Sequence, residues 1–273
     1  MSGNVSVDAG TSKTFAITPD TGYQIADVLV DGQSVGVVTE YTFADITDDH
    51  RIEVLFGSIA GGGSFLLDNW QDAEKSLTNT DDDDMCWAAA LSNMLVWGGW
   101  NGLVDSAQNV FEVFQEYWTD AAGLMSDGAE WWFNGTLPEI LPGWSTVDVA
   151  GGGKYYPEYD FFTYFAEDWA SYDAGSGTWS GGSHLLDSIG SYLQDGYSAS
   201  LAVYSNYSGH ALSVWGYEYD AWGNYTGLWV TDSDDYMTDL KLLSIELFEG
   251  LWYLDAGNLY GYRDWFIGGL QAI

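Results

Sequence analysis

Cysteine is nearly absent from this chain of 273 residues: Cys86 is the only one. A single thiol excludes an intramolecular disulfide, a disulfide-stapled scaffold and a zinc site built on cysteines. Histidine is scarce as well. His50, His184 and His210 lie far apart and show no H-E-x-x-H or similar ligand spacing, so neither a metal nor a cofactor is expected. Basic residues number 6 against 41 acidic ones, a formal net charge of -35. Such a surface repels polyanions, which excludes nucleic acid and anionic membrane as partners. No apolar run reaches the roughly 18 residues of a transmembrane helix, so no membrane insertion is expected. The opening Met1-Ser2-Gly3-Asn4 lacks the charged and apolar regions of a signal peptide.

What is present is apolar and aromatic. With 47% hydrophobic and 17% aromatic residues, the chain can pack one large domain and a small one. From Val5 to Phe56 apolar residues alternate in short runs: Val5 and Val7, Phe15 and Ile17, Val28 and Val30, Tyr41 and Phe43, then Ile52, Val54 and Phe56. Period two predicts strands with one buried face, and turn residues such as Pro19-Asp-Thr-Gly22 and Asp31-Gly32 separate them. Residues 1–57 therefore read as a small all-β module. From about residue 3 to 57 the wording resembles repeat modules common on bacterial surface and secreted proteins. That resemblance implies an exported multidomain protein, secreted or at the bacterial cell surface, with a spacer or adhesive role for the module.

Residues 58–64, Ser58-Ile-Ala-Gly-Gly-Gly-Ser64, have the composition of a flexible linker. Residues 65–273 form the larger domain. Of the charges, 9 acids and 2 bases fall within 1–57, leaving 32 acids and 4 bases, net -28, for the remainder. A helix starting near Cys86 carries Ala89, Ala90, Asn93, Met94 and Trp97 on the face of the cysteine and Trp87, Leu91 and Leu95 on another. Apolar on nearly all sides, it predicts a buried central helix. A second helix is predicted over 106–118 from Ala107, Val110, Phe111, Phe114 and Trp118. A third, capped by Ser183, carries Leu185, Leu186, Ile189, Tyr192 and Leu193 and stops at Gly196. Residues 121–180 read as irregular structure with short helices, either long packed loops, the preferred reading, or the lining of a substrate cleft. After residue 200 the period changes: 201–204, 211–219 and 225–231 read as strands, the last two a hairpin through Asp220-Ala-Trp-Gly-Asn224, with later strands near 240–248 and 265–267. Helices first and sheet later make an α+β fold.

The stretch Asp81-Asp-Asp-Asp-Met-Cys86 puts the one thiol at a helix N-terminus, where negative charge is favoured and a thiolate forms more easily than in a helix interior. The alternative is a buried, inert cysteine. The four acids read as a solvated loop whose last member caps the helix, and the run lacks the alternating ligands and glycine of an EF-hand calcium site. A thiol nucleophile needs a base, and the base needs an orienting group. His210 opens one strand and Asp232 closes its hairpin partner, so antiparallel pairing brings them together. His184 reads as a surface residue at a helix N-terminus and His50 as a turn residue of the small module.

Three blocks carry a sharper resemblance: Trp70-Gln-Asp-Ala-Glu-Lys75, Cys86-Trp-Ala-Ala-Ala-Leu-Ser-Asn-Met-Leu95, and the run from Gly209-His-Ala-Leu-Ser-Val-Trp-Gly216 to Val230-Thr-Asp-Ser-Asp234. Together they resemble the immunoglobulin-degrading (IdeS/Mac-like) cysteine endopeptidases of streptococci, which are secreted and papain-like. The resemblance implies a papain-like cysteine protease domain, its central helix packed on an antiparallel sheet. It makes Cys86 the nucleophile, His210 the general base and acid, Asp232 its orienting partner, Lys75 a contributor to the oxyanion hole and Asp234 a second acid supporting the site. The 22 positions from His210 to Asp232 match the family. Lys75 precedes Cys86 by 11 positions, one more than in the streptococcal enzymes, and the middle of the domain differs. Because those middle loops shape the substrate groove, immunoglobulin cleavage does not carry over. The expectation is a monomeric endopeptidase acting on a protein substrate. The rivals are a catalytically silent binding module of the same fold and a thiol transferase or amidase.

Overall fold

The computed structural model describes residues 5–18, 23–58, 62–78, 82–118, 123–137, 152–205, 208–235, 237–255 and 265–273. The chain divides into two compact units, Met1–Gly63 with Tyr219–Asn224, and Ser64–Glu218 with Tyr225–Ile273. The cut in the chain falls inside the Gly/Ser-rich stretch 58–64.

The first unit contains β1 (Thr11–Ala16), β2 (Tyr23–Val30), β3 (Gln33–Ser34), β4 (Glu40–Ile46) and β5 (Ile52–Ser58). They form a β1–β4 pair and a three-stranded sheet in the order β3-β2-β5. Asp31 and Gly32, both at positive φ, make the two-residue turn that pairs Val30 with Gln33, as the right-handed twist of a tight hairpin requires. Ile17, Ile25 and Val28 are buried, with Val38, Ile52 and Val54 against them. The alternation at Val5 and Val7 does not yield a strand, and both side chains are exposed. Two apolar residues in alternation mark a face only when a partner strand covers it.

The second unit is α+β. Strand β6 (Gly63–Leu66) begins at the division, followed by α1 (Cys86–Trp97), α2 (Ala107–Trp118), α3 (Met125–Asn134), β7 (Ala166–Trp169), β8 (Ser171–Asp173), β9 (Thr178–Ser180) and α4 (Leu185–Gln194). Six strands complete it: β10 (Ala199–Tyr204), β11 (Gly209–Tyr219), β12 (Tyr225–Thr231), β13 (Lys241–Phe248), β14 (Leu251–Asp255) and β15 (Phe266–Ala272). Neighbours run β10-β11-β12-β13-β14-β15-β7, and β10 also pairs with β15, so β10 to β15 close into a ring; β6 adds to β11.

Two cores lie side by side. One holds α1, α2 and α3, with Leu91, Phe111, Phe114, Trp118, Trp131 and Trp132 buried, and is joined by Ala211 of β11 and by Ile273, just past β15. The other gathers Leu201, Leu212, Val214, Leu228 and Leu270 of the strands with Leu186, Ile189 and Leu193 of α4. Helix α1 is apolar on every side because it is enclosed on every side: Trp87 to Leu95 are all buried. Its N-terminus meets β10 and β11 at the seam between the two cores, which is where the candidate site forms.

Several sequence expectations change. The stretch 121–180 contains a regular helix, α3, whose Trp131, Trp132 and Phe133 are fully buried; the aromatic density that obscured its period is its core face. The N-cap of α4 is His184 rather than Ser183, with no side-chain cap bond. Strand β14 was not foreseen, and β15 runs farther than 265–267. Among the described residues no helix is long and apolar enough to cross a membrane.

Candidate active site

Cys86 is the first residue of α1 and partly exposed. A turn, Met85 N–H to the Asp82 carbonyl at 3.0 Å, delivers the chain into the helix, and the Met85 carbonyl accepts from Ala88 and Ala89 at 3.0 and 3.2 Å. The N-cap is Met85, with no side-chain cap bond, so Asp84 does not cap the helix. Only part of the acidic run is solvated. Asp83 and Asp84 are exposed, whereas Asp82 is fully buried. Its Oδ2 accepts from Ser76 N–H at 2.9 Å and Gln115 Nε2 at 2.7 Å, tying the loop before α1 to α2. Asp81 lies outside the described residues.

His210, the second residue of β11, places Nε2 2.7 Å from Asp232 Oδ1, just beyond the end of β12, with side chains 13% and 8% exposed. The same carboxylate oxygen accepts the N–H of Asp234 at 3.0 Å. Cys86 and the imidazole line the same cavity, and the thiol is among the groups that raise the histidine pKa. His210 Nδ1 lies 3.9 Å from Asp234 Oδ2, and the Trp265 ring stands edge-on to the imidazole, centroids 6.3 Å apart. Burial by itself would lower the histidine pKa. The charge of Cys86, the hydrogen bond to Asp232 and the charge of Asp232 outweigh it and hold the pKa well above 6.5. For Asp232, burial pushes upward, but His210, the Asp234 N–H and Lys241 bring its pKa below the ordinary value. The two shifts together favour an imidazolium held against the Asp232 carboxylate.

Lys75 enters from a segment without regular structure, in which side chains satisfy the backbone groups that a strand or helix would otherwise pair. Asn93 of α1 accepts the Ala73 N–H at 2.8 Å and donates to Ser213 of β11 at 2.9 Å. Gln108 of α2 accepts from Glu74 N–H at 2.8 Å and donates to the Glu74 carbonyl at 3.2 Å. Thr231 donates to the Gln71 carbonyl at 3.0 Å, and Lys75 N–H donates to the Ser233 carbonyl at 3.1 Å. The ammonium, 8% exposed, donates to Asp234 Oδ1 and to the Asp83 carbonyl, each at 2.6 Å. Burial opposes its charge, yet the hydrogen bond and charge of Asp234, then the charges of Cys86 and Asp82, raise its pKa. Among the described residues two of its three N–H donors are thereby engaged, leaving one on a group that lines the same cavity as Cys86.

That cavity, about 420 Å³, includes Lys75, Cys86, His210 and Asp234 in its wall. All five residues singled out in the sequence thus belong to one cluster. His184, exposed and 3.2 Å from Asp168, and His50, bonded to Asp31 in the first unit, lie outside it. Among the described residues, His210, Asp232 and Asp234 offer ligand atoms within 4.8 Å of one another; Asp232 Oδ1 already holds the imidazole and the Asp234 N–H. Asp235 turns away to pair with Lys241.

The sequence reading missed the supports: Asn93, Gln108, Gln115 and Asp82. Asn93 stood in an apolar pattern, and a polar residue on a buried face is the signal that would have found it. Compared with models of known protein families and with curated proteins, the chain matches none.

Proposed function

We propose that this protein is a papain-like cysteine endopeptidase, secreted or at the bacterial cell surface, that cleaves peptide bonds of a protein substrate. The reading rests on one observation above all: Cys86 at a helix N-terminus lines one cavity with His210, whose Nε2 is held by buried Asp232. The resemblance to the immunoglobulin-degrading endopeptidases falls on the same residues. A closed antiparallel ring beside a helical core containing the thiol is also the layout of papain-like enzymes.

Each group has a role. Cys86 Sγ, as thiolate, attacks the scissile carbonyl while its proton resides on His210. Asp232 fixes the imidazole, so that the nitrogen facing Cys86 returns the proton to the leaving amine and later takes one from the hydrolytic water. The remaining Lys75 N–H and the Cys86 backbone N–H meet the negative charge that develops on the carbonyl oxygen. Asp234 aims the ammonium and buttresses Asp232. Presence of the full set weighs against a catalytically silent binding module, which would be free to lose any member.

The test is labelling of the intact protein with iodoacetamide and an E-64-type epoxide near neutral pH, beside digestion of a proteome-derived peptide mixture, with Cys86→Ala as control. Stoichiometric modification at Cys86 and Cys86-dependent cleavage are expected. An unreactive thiol would sink the thiolate mechanism; a reactive thiol without cleavage would favour a transferase or amidase.

A further inference from the structure

We infer that the cleft beside Cys86 is a specificity pocket for a cationic substrate side chain, lysine or arginine, and that Gln271 reads its end. The inference deepens the endopeptidase reading and rests on it. Strand register shapes the floor. Ala211 pairs with Ala202, Ala202 with Gly269, and Gly269 with Trp169, so three small residues in one row across β11, β10 and β15 end at a tryptophan. The Trp169 ring lies so close over Gly269 that a Cβ there would stand 2.4 Å from it. Ala202, Ala211 and Trp169 all line the cavity.

Two residues along the strands, on the same face, Ser200 pairs with Gln271. Gln271 is 3% exposed and lines the cavity, so its amide is a polar group at a nearly closed wall. Across the strand pair from it, the fully buried Ser200 Oγ lacks a hydrogen-bond partner among the described residues. A step of two residues along a strand is about 7 Å. A side chain entering beside His210, which neighbours Ala211, and crossing the row of small residues therefore needs a long stem to bring a polar head to Gln271. Lysine and arginine have that stem.

Charge selects among long side chains. Asp83 and Asp84 stand exposed at the cavity wall, and its one ammonium, Lys75, is engaged by Asp234 and the Asp83 carbonyl. A carboxylate guest meets like charge. A cation is attracted by the carboxylates, can lie against the Trp169 ring and donates to the Gln271 carbonyl oxygen.

Binding of Nα-acetyl-arginine amide to the Cys86→Ala protein, followed by NMR, tests this without turnover. The expected result is binding at least about tenfold tighter than for the norleucine, glutamine or glutamate amides, reduced about tenfold by Gln271→Leu. Arginine no better than norleucine or glutamine, or unchanged affinity in a folded Gln271→Leu protein, overturns the assignment. Should Gln271→Leu fail to fold, Asp83→Asn with Asp84→Asn on the exposed wall is expected to weaken arginine amide by about fivefold and leave norleucine amide unchanged; equal loss for both overturns it. In the wild-type peptide digest, one position flanking the cut bond should be lysine or arginine. Cleavage indifferent to basic residues removes the specificity and leaves the endopeptidase standing, whereas no Cys86-dependent cleavage removes the endopeptidase and the specificity with it.

Discussion

Lys75 Nζ lies 2.6 Å from Asp234 Oδ1, and the N–H of Asp234 is 3.0 Å from Asp232 Oδ1, the atom that holds His210. One short turn thus links the ammonium to the imidazole. Lys75→Ala removes a donor from the cavity without touching the Cys86–His210 pair. Turnover should fall about 100-fold or more, the scale of a lost oxyanion donor, with KM little changed, the fold intact by circular dichroism and iodoacetamide labelling of Cys86 retained. Near-normal kcat would take Lys75 out of the site.

The raised pKa of His210 fixes one limb of the pH profile. The imidazolium, and the stability it contributes, is fully present below about 6.5 and is lost only as pH rises through the raised folded value. The alkaline limb of kcat/KM should therefore lie well above pH 6.5. Asp232→Asn takes away a hydrogen bond and a charge that support the imidazolium, so the limb should move downward and turnover fall about 100-fold or more. An alkaline limb unmoved in Asp232→Asn would contradict the coupling.

The surroundings of Asp72 favour its protonated form in the folded protein. Burial, then the charges of Glu74 and Asp235, push its pKa up from 3.8 to about 9. The unfolded carboxyl ionises near its ordinary value, so stability declines as pH rises from about 4 to about 9 and the loss then levels off. Asp72→Asn keeps an acceptor for the Asp239 N–H, which now meets Asp72 Oδ2 at 3.1 Å. The variant should melt higher than wild type at about pH 8, by roughly 3 °C for each kcal/mol, and the difference should shrink toward pH 4. Parallel melting curves at both pH values would argue that Asp72 is ionised.

Asn93 anchors the Lys75 segment. It is 2% exposed, and Asn93→Ala leaves the Ala73 N–H and the Ser213 hydroxyl without their bonds to it. A cost of about 2–4 kcal/mol in urea unfolding is expected from two buried groups losing partners, together with reduced turnover as Lys75 loses its seat. A change below about 0.5 kcal/mol would mean that the segment is held elsewhere.

The amino-acid sequence by itself determined the character of α1, since apolar residues on every face can only be buried, and the hairpin of β11 and β12, whose alternation and turn residues act locally. Hairpin pairing is what makes His210 and Asp232 neighbours at a separation of 22 positions, so that pair was legible before any fold was known. Tertiary structure alone decided the rest. Segment 71–76 has no local period because its backbone is satisfied by Asn93, Gln108 and Thr231 from three distant elements, and no pattern within the segment encodes partners so far away. Asp82 and Asp83 look alike in an acidic run, yet one is buried on Gln115 and the other is exposed, a difference that only the approach of α2 creates. The row Ala211, Ala202, Gly269 and Trp169, with Gln271 beside it, depends on the register of four strands and exists only once the ring has closed.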